Sequence, residues 1–191
     1  MWPLLITSVI ATSVVIERVI FIIREKRRRS SFIVDRILSA VEEGDLGKAI
    51  EAGRNSQDFV ARTLIYGIAH RESSFSNALL RAANLELNRF NQGIVILDTI
   101  ITLAPLLGLL GTVTGMIHAF SLLGASELGA PAAITGGIAE ALIATAFGLA
   151  VAIISLIPFN YLNSMAESAR HEIEDASSHL ELLLTQTERQ L

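Results

Sequence analysis

The sequence predicts an all-α integral membrane protein with three transmembrane helices and long cytoplasmic helical extensions, and two observations carry that prediction. Of its 191 residues 51% are hydrophobic, and the mean hydropathy is +0.52, on the apolar side of ordinary soluble domains. The charges are also segregated: across the 68 residues from Thr99 to Ala166 only Glu127 and Glu140 are charged, while the remaining 123 residues hold the other 32. Uncharged stretches of that length are what a hydrocarbon core of about 20 helical residues requires.

The first transmembrane helix is placed within residues 1–23. It begins at Trp2, an interfacial aromatic, runs uncharged from Pro3 to Ile16, and ends at Arg24-Glu25-Lys26-Arg27-Arg28-Arg29. Basic residues after the apolar run, not before it, mark a retained anchor and not a removable leader. Because Lys and Arg stay on the cytoplasmic side, residue 24 onward is expected in the cytoplasm and Met1 on the opposite face. Glu17 and Arg18 lie close enough to that boundary to snorkel or to pair with neighbours.

Residues 24–93 are expected to form a cytoplasmic helical region. Ile33, Val34, Ile37, Leu38 and Val41 recur at helical intervals, Gly44 stops that helix, and Asp45 is placed as N-cap of the next, Leu46 to Ala52. A stripe of Phe59, Val60, Leu64, Ile65 and Ile68 follows. Another, from Ala78 through Leu85 to Phe90, runs without a proline toward the second transmembrane helix, 94–120. A periplasmic loop, 121–131, contains no Lys or Arg, and the third transmembrane helix spans 132–158. The C-terminal segment, 159–191, carries Leu162, Met165, Ala169, Ile173, Ala176, Leu180 and Leu183 as the apolar face of a cytoplasmic helix.

Composition also excludes several chemistries. No cysteine is present, which removes disulfides, thiolate metal sites and cysteine nucleophiles. A net charge of −4 gives nucleic acid no electrostatic reason to bind. His70, His171 and His179 have neither metal-ligand nor triad spacing, and His171 with Glu174 and Asp175 reads as a solvated helix face. No metal, no cofactor and no enzymatic activity are expected.

The spans carry two seams of small residues. Gly108, Gly111, Thr112 and Gly115 share one face of the second; Gly137, Ala141, Ala144, Gly148 and Ala152 line the third. Small residues let helices approach closely in lipid, so Gly108, Gly111, Gly115, Gly137, Ala141, Ala144 and Gly148 are assigned to helix packing. Glu140 sits on the second of these seams. An intramembrane carboxylate is costly unless it faces a bundle interior or water, and is by default a functional candidate. Thr112 lies on the first seam, and Thr145 lies about 7.5 Å along the axis from Glu140 and roughly 140° around it. Each threonine is expected to bond back to its own helix, and a line of hydroxyls with one carboxylate could instead hold water for proton movement. His118 is read as an interfacial residue.

The run Leu103-Ala104-Pro105-Leu106-Leu107-Gly108-Leu109-Leu110-Gly111-Thr112-Val113-Thr114-Gly115-Met116-Ile117 resembles the first signature of the MotA/TolQ/ExbB proton-channel family. Gly137-Ile138-Ala139-Glu140-Ala141-Leu142-Ile143-Ala144-Thr145-Ala146-Phe147-Gly148 and the apolar residues after it resemble the second, and the whole looks most like ExbB and TolQ. The resemblance implies a subunit of the bacterial inner membrane that forms a homo-pentameric ring around the helix of an ExbD/TolR-like single-span partner. It further implies that the proton is carried on an aspartate of that partner, that Glu140, Thr112 and Thr145 line its route, and that the motion is passed to a TonB/TolA-like periplasm-spanning protein. Pro158 falls later than in the ExbB-like pattern. The rival expectation is a non-conducting membrane scaffold in which Glu140 is structural.

Overall fold

The computed structural model describes the backbone of residues 2–125 and 131–190, and the side chains within these ranges except at 72–73, 122–134 and 187–190. The described residues form α1 (Trp2–Arg28), α2 (Ser31–Glu42), α3 (Leu46–Gly53), α4 (Phe59–Ala69), α5 (Arg71–Asn91), α6 (Ile94–Ala125) and α7 (Pro131–Gln190), with no strand among them. α1, α6 and α7 each hold a stretch long and apolar enough to cross a membrane, so the all-helical, three-span class holds. α6 extends past Phe120 to Ala125. Residues 126–130 of the expected loop, Glu127 among them, lie outside the described residues.

The chain divides into two compact units, residues 1–18 with 93–162 and residues 19–92 with 163–191. The first unit buries many small residues and exposes many large apolar ones, although Leu97 and Leu162 are also buried. Ala104, Ala119, Ala141 and Ala144 are buried, while Leu5, Val9, Leu106, Leu109, Ile143 and Ile153 are exposed. Lipid selects that inversion, because it solvates leucine as well as a core does and leaves close backbone approach to drive packing. Arg18 is 5% exposed, is paired with Glu17, and lays its alkyl stem against Gly93.

At Gly93 the structure departs from the sequence expectation. The apolar stripe of α5 does not run uninterrupted into the second span: Gly93 adopts φ +77°, a left-handed turn that glycine takes without steric cost. α6 starts afresh beyond it, with the Leu97 amide donating to the Gly93 carbonyl. α5 is itself interrupted at Ser74, whose backbone is extended.

The second unit is built from α2–α5, the end of α1 and the C-terminal part of α7. Ile37, Val41, Val60, Leu64 and Ile68 are fully or almost fully buried, each such side chain contributing about 1.5–3 kcal/mol of hydrophobic stabilisation. α7 adds Ala169, Ile173, Ala176 and Leu180, spaced four, three and four apart as a helix face requires. Gly44, at φ +79°, ends the α2 segment, and Asp45 caps α3 by accepting from the Lys48 amide at 2.9 Å. That backbone bond, helped by the Lys48 side chain, holds the Asp45 carboxyl below its usual range. The cap's contribution is therefore complete above the unfolded-state pKa and is lost only as pH falls through the lower folded-state value.

Asp58 is the most connected polar group of this unit. Fully buried, it caps α4 by accepting from the Val60 and Ala61 amides at 2.8 and 3.1 Å. It also accepts from the Ser30 amide at 2.6 Å and from Arg29 Nη1 at 2.7 Å. Arg29 bonds Glu172 of α7 as well. Burial works to lower the Arg29 pKa, but its hydrogen bonds to Glu172 and Asp58 outweigh burial and hold it above the ordinary arginine value. One residue thus ties the α1–α2 junction to the start of α4 and to α7.

Candidate functional site

α6 and α7 pack antiparallel in the first unit through a ladder of small residues. A Cβ placed on Gly137 would lie 2.9 Å from Ala119 Cβ, on Gly115 2.7 Å from Ala141 Cβ, and on Gly111 2.8 Å from Ala144 Cβ. At the closest point the backbones themselves meet: a Cβ on Gly148 would lie 2.5 Å from the Ala104 carbonyl oxygen and 3.1 Å from Gly108 Cα. Pro105 follows at this crossing; it has no N–H to give to the carbonyl one turn earlier.

The two threonines behave differently. Thr112 donates to the Leu109 carbonyl of its own helix at 2.7 Å, as expected of a hydroxyl in lipid. Thr145 departs from that expectation and donates across to the Gly108 carbonyl of α6 at 2.9 Å. The crossing is so tight that a carbonyl of the facing helix comes within reach of the α7 hydroxyl.

Glu140 is exposed and, among the described residues, takes part in no hydrogen bond or ion pair. It lines a cavity of about 230 Å³ whose other polar side chains are Thr114 and His118, the space being cleared by Gly111, Gly115 and Gly137. Thr114 is bonded to the Leu110 carbonyl of its own helix at 2.9 Å. Within one chain, then, Glu140 is brought together with Thr114 and His118, whereas Thr112 and Thr145 lie outside this cavity. The sequence contained a signal for this: Gly111, Thr114, Gly115 and His118 follow one another at three, one and three residues, a single helix face. His118, expected as an interfacial residue, shares this face with the glycines. An acid and an imidazole on facing helices thus share this cavity; among the described residues no group of His, Asp and Glu could hold a metal ion.

A family model described as the MotA/TolQ/ExbB proton channel family matches residues 54–175, a stretch that contains Thr112, His118, Glu140 and Thr145. The chain belongs to the MotA/TolQ/ExbB proton channel family. Among its relatives, a Synechocystis sp. protein named biopolymer transport protein ExbB-like 1 is 38% identical over 190 residues, covering 96% of this chain and 74% of the relative. A second from Synechocystis sp., ExbB-like 3, is 31% identical over 186 residues, covering 95% and 88%. The Tol-Pal system protein TolQ of Haemophilus influenzae is 30% identical over 173 residues, covering 82% and 74%. Within the MotA/TolQ/ExbB family the likeness is thus to ExbB and TolQ, and the chain is a multi-pass membrane protein of a channel family and not of an enzyme family.

Proposed function

We propose that this chain is the proton-channel ring subunit of an ExbB/TolQ-type energy transducer in a bacterial inner membrane. It couples proton-motive force to a periplasm-spanning protein that serves outer-membrane transport or envelope maintenance. The observation that carries this reading is the polar cavity of Glu140, Thr114 and His118 between two helices otherwise lined by small and apolar residues. A carboxylate in that place is costly unless it faces a bundle interior or water, and is by default a functional candidate.

The proton route runs past Glu140, Thr112 and Thr145. Thr145 has a second task as the hydrogen bond that locks α7 to α6, and His118 faces the same cavity as Glu140. One copy has three spanning helices and cannot enclose a pathway, so five copies surround the helix of an ExbD/TolR-like single-span partner, and a TonB/TolA-like protein receives the motion. The basic cluster Arg24–Arg29 orients the chain with its N-terminus periplasmic and its C-terminus cytoplasmic.

Co-expression with an aspartate-bearing single-span partner, followed by native mass measurement, tests the assembly. Five copies of this chain with the partner inside are expected. A stable monomer, or an assembly that excludes the partner, would contradict the ring and favour a non-conducting scaffold.

A further inference from the structure

The chain as a whole carries a net charge of −4, yet residues 24–36, the end of α1 and the start of α2, hold six cations against two carboxylates. Helical geometry sorts these charges onto different faces. Glu25 and Arg29, one turn apart, turn toward the other helices of the second unit: Glu25 is 2% exposed beside Arg62, and Arg29 is held by Asp58 and Glu172. Arg24, Arg27 and Arg28 occupy a different face, Arg24 and Arg27 exposed and Arg28 half-buried.

That second face is left uncompensated. Among the described residues Arg24, Lys26, Arg27, Arg28 and Arg36 take part in no ion pair, whereas Arg29, Arg62 and Arg89 of the same unit are each bound to a carboxylate. Arg36 lies instead over the Phe32 ring, 5.9 Å from its centroid, and Phe32 is 69% exposed. Phe32 stands four residues past Arg28, so within about 14 Å of it. An exposed ring that close to the end of a spanning helix suits the boundary between headgroups and acyl chains.

The face that carries Arg24 and Arg27 is apolar one turn earlier. Ile20, Ile23, Arg24 and Arg27 follow one another at three, one and three residues, a single stripe of the helix, and Ile20 and Ile23 are 56% and 50% exposed. Two exposed branched side chains thus lead directly to two exposed guanidiniums. That order matches a phospholipid, chains first and phosphate after, and a guanidinium meets phosphate with two parallel hydrogen bonds. A soluble anion would have no use for the isoleucines.

We propose that Ile20, Ile23, Arg24 and Arg27 bind an anionic phospholipid of the leaflet in which α1 ends. Its phosphate rests on the two guanidiniums and its acyl chains lie along the two isoleucines, with Phe32 and Arg36 seated in the headgroup layer beside it. Juxtamembrane basic clusters attract anionic lipid, and the attraction weakens as salt rises. The bound lipid holds the end of the first span at a fixed depth, and it does so whether or not the chain conducts.

The full-length protein is reconstituted in phosphatidylcholine vesicles holding a trace of spin-labelled phosphatidylglycerol or, in parallel, of spin-labelled phosphatidylcholine. Electron paramagnetic resonance then reads how much of each label is motionally restricted by the protein. The expected result is a several-fold preference for phosphatidylglycerol at low salt. It is expected to vanish in Arg24→Gln/Arg27→Gln, to return in Arg24→Lys/Arg27→Lys, and to persist in Arg54→Gln/Arg81→Gln, which removes two exposed cations elsewhere in the second unit. Equal restriction of the two lipids by the wild type would overturn the proposal, and so would a preference that survives Arg24→Gln/Arg27→Gln. An equal loss in Arg54→Gln/Arg81→Gln would assign the preference to net charge and overturn the site. Inorganic phosphate, added at the concentration of the labelled lipid, is expected to displace none of it; displacement would mark a site for a soluble anion and overturn the lipid.

Discussion

At the scale of single residues, Thr145 and Gly148 set how closely α6 and α7 approach. Thr145→Val removes a hydrogen bond between helices and is expected to cost about 0.6 kcal/mol, reaching about 1.7 kcal/mol if the site does not relax. Thr112→Val removes only a bond within one helix and should leave stability nearly unchanged; a detergent unfolding titration of both variants checks the order. Gly148→Ala drives a methyl to within 2.5 Å of a backbone carbonyl and should cost about 1–3 kcal/mol. Gly136→Ala, with nothing within 4 Å of the added carbon, should be neutral or gain up to about 1 kcal/mol. The seams themselves were legible in the sequence, because glycine and alanine at intervals of three and four mark a packing face. The partner of the Thr145 hydroxyl was not, since helical spacing gives a side chain's face and says nothing of which carbonyl stands opposite.

At the scale of elements, the Asp58 cap holds the second unit's helices in register. Asp58→Ala leaves Arg29 half-buried without one of its two carboxylates and leaves three amides, Ser30, Val60 and Ala61, without an acceptor. The expected loss is about 3 kcal/mol or more, read as a fall in the denaturation midpoint of the full-length protein. A loss smaller than that of an exposed cap would show that the four hydrogen bonds do not act together. The helices of this unit could be read from apolar periodicity, and so could Asp45, because an acidic residue after Gly44 and before an apolar stripe is a cap signal. The break between α5 and α6 could not. A lone glycine inside a continuous apolar pattern does not announce its φ, and at Gly93 an added Cβ would besides lie 3.1 Å from both Val14 and Arg18. The long-range Arg29–Asp58–Glu172 link was equally hidden, since it joins residues 29 and 143 positions apart, and spacing along one helix says nothing of partners that distant.

At the scale of the whole molecule, the chain concentrates its polar chemistry at few places: a carboxylate and an imidazole in one cavity of the apolar unit, and a charge network in the other. The spans and the family were both visible in the sequence, the first from charge segregation and the second from the two signature runs. What the sequence could not supply was which polar residues share a space within one chain: the resemblance names Glu140, Thr112 and Thr145 along one route, and the cavity of the first unit holds Glu140 with Thr114 and His118. The measurement that tests the account most directly is proton flux into liposomes carrying this chain with its single-span partner, under an imposed pH gradient, comparing wild type, Glu140→Gln and Glu140→Asp in complexes of equal assembly. The account predicts flux in the wild type, its fall toward the level of empty liposomes in Glu140→Gln, and partial recovery in Glu140→Asp. Undiminished flux in Glu140→Gln, with the complex intact, would contradict a route past Glu140 and return that carboxylate to a structural role.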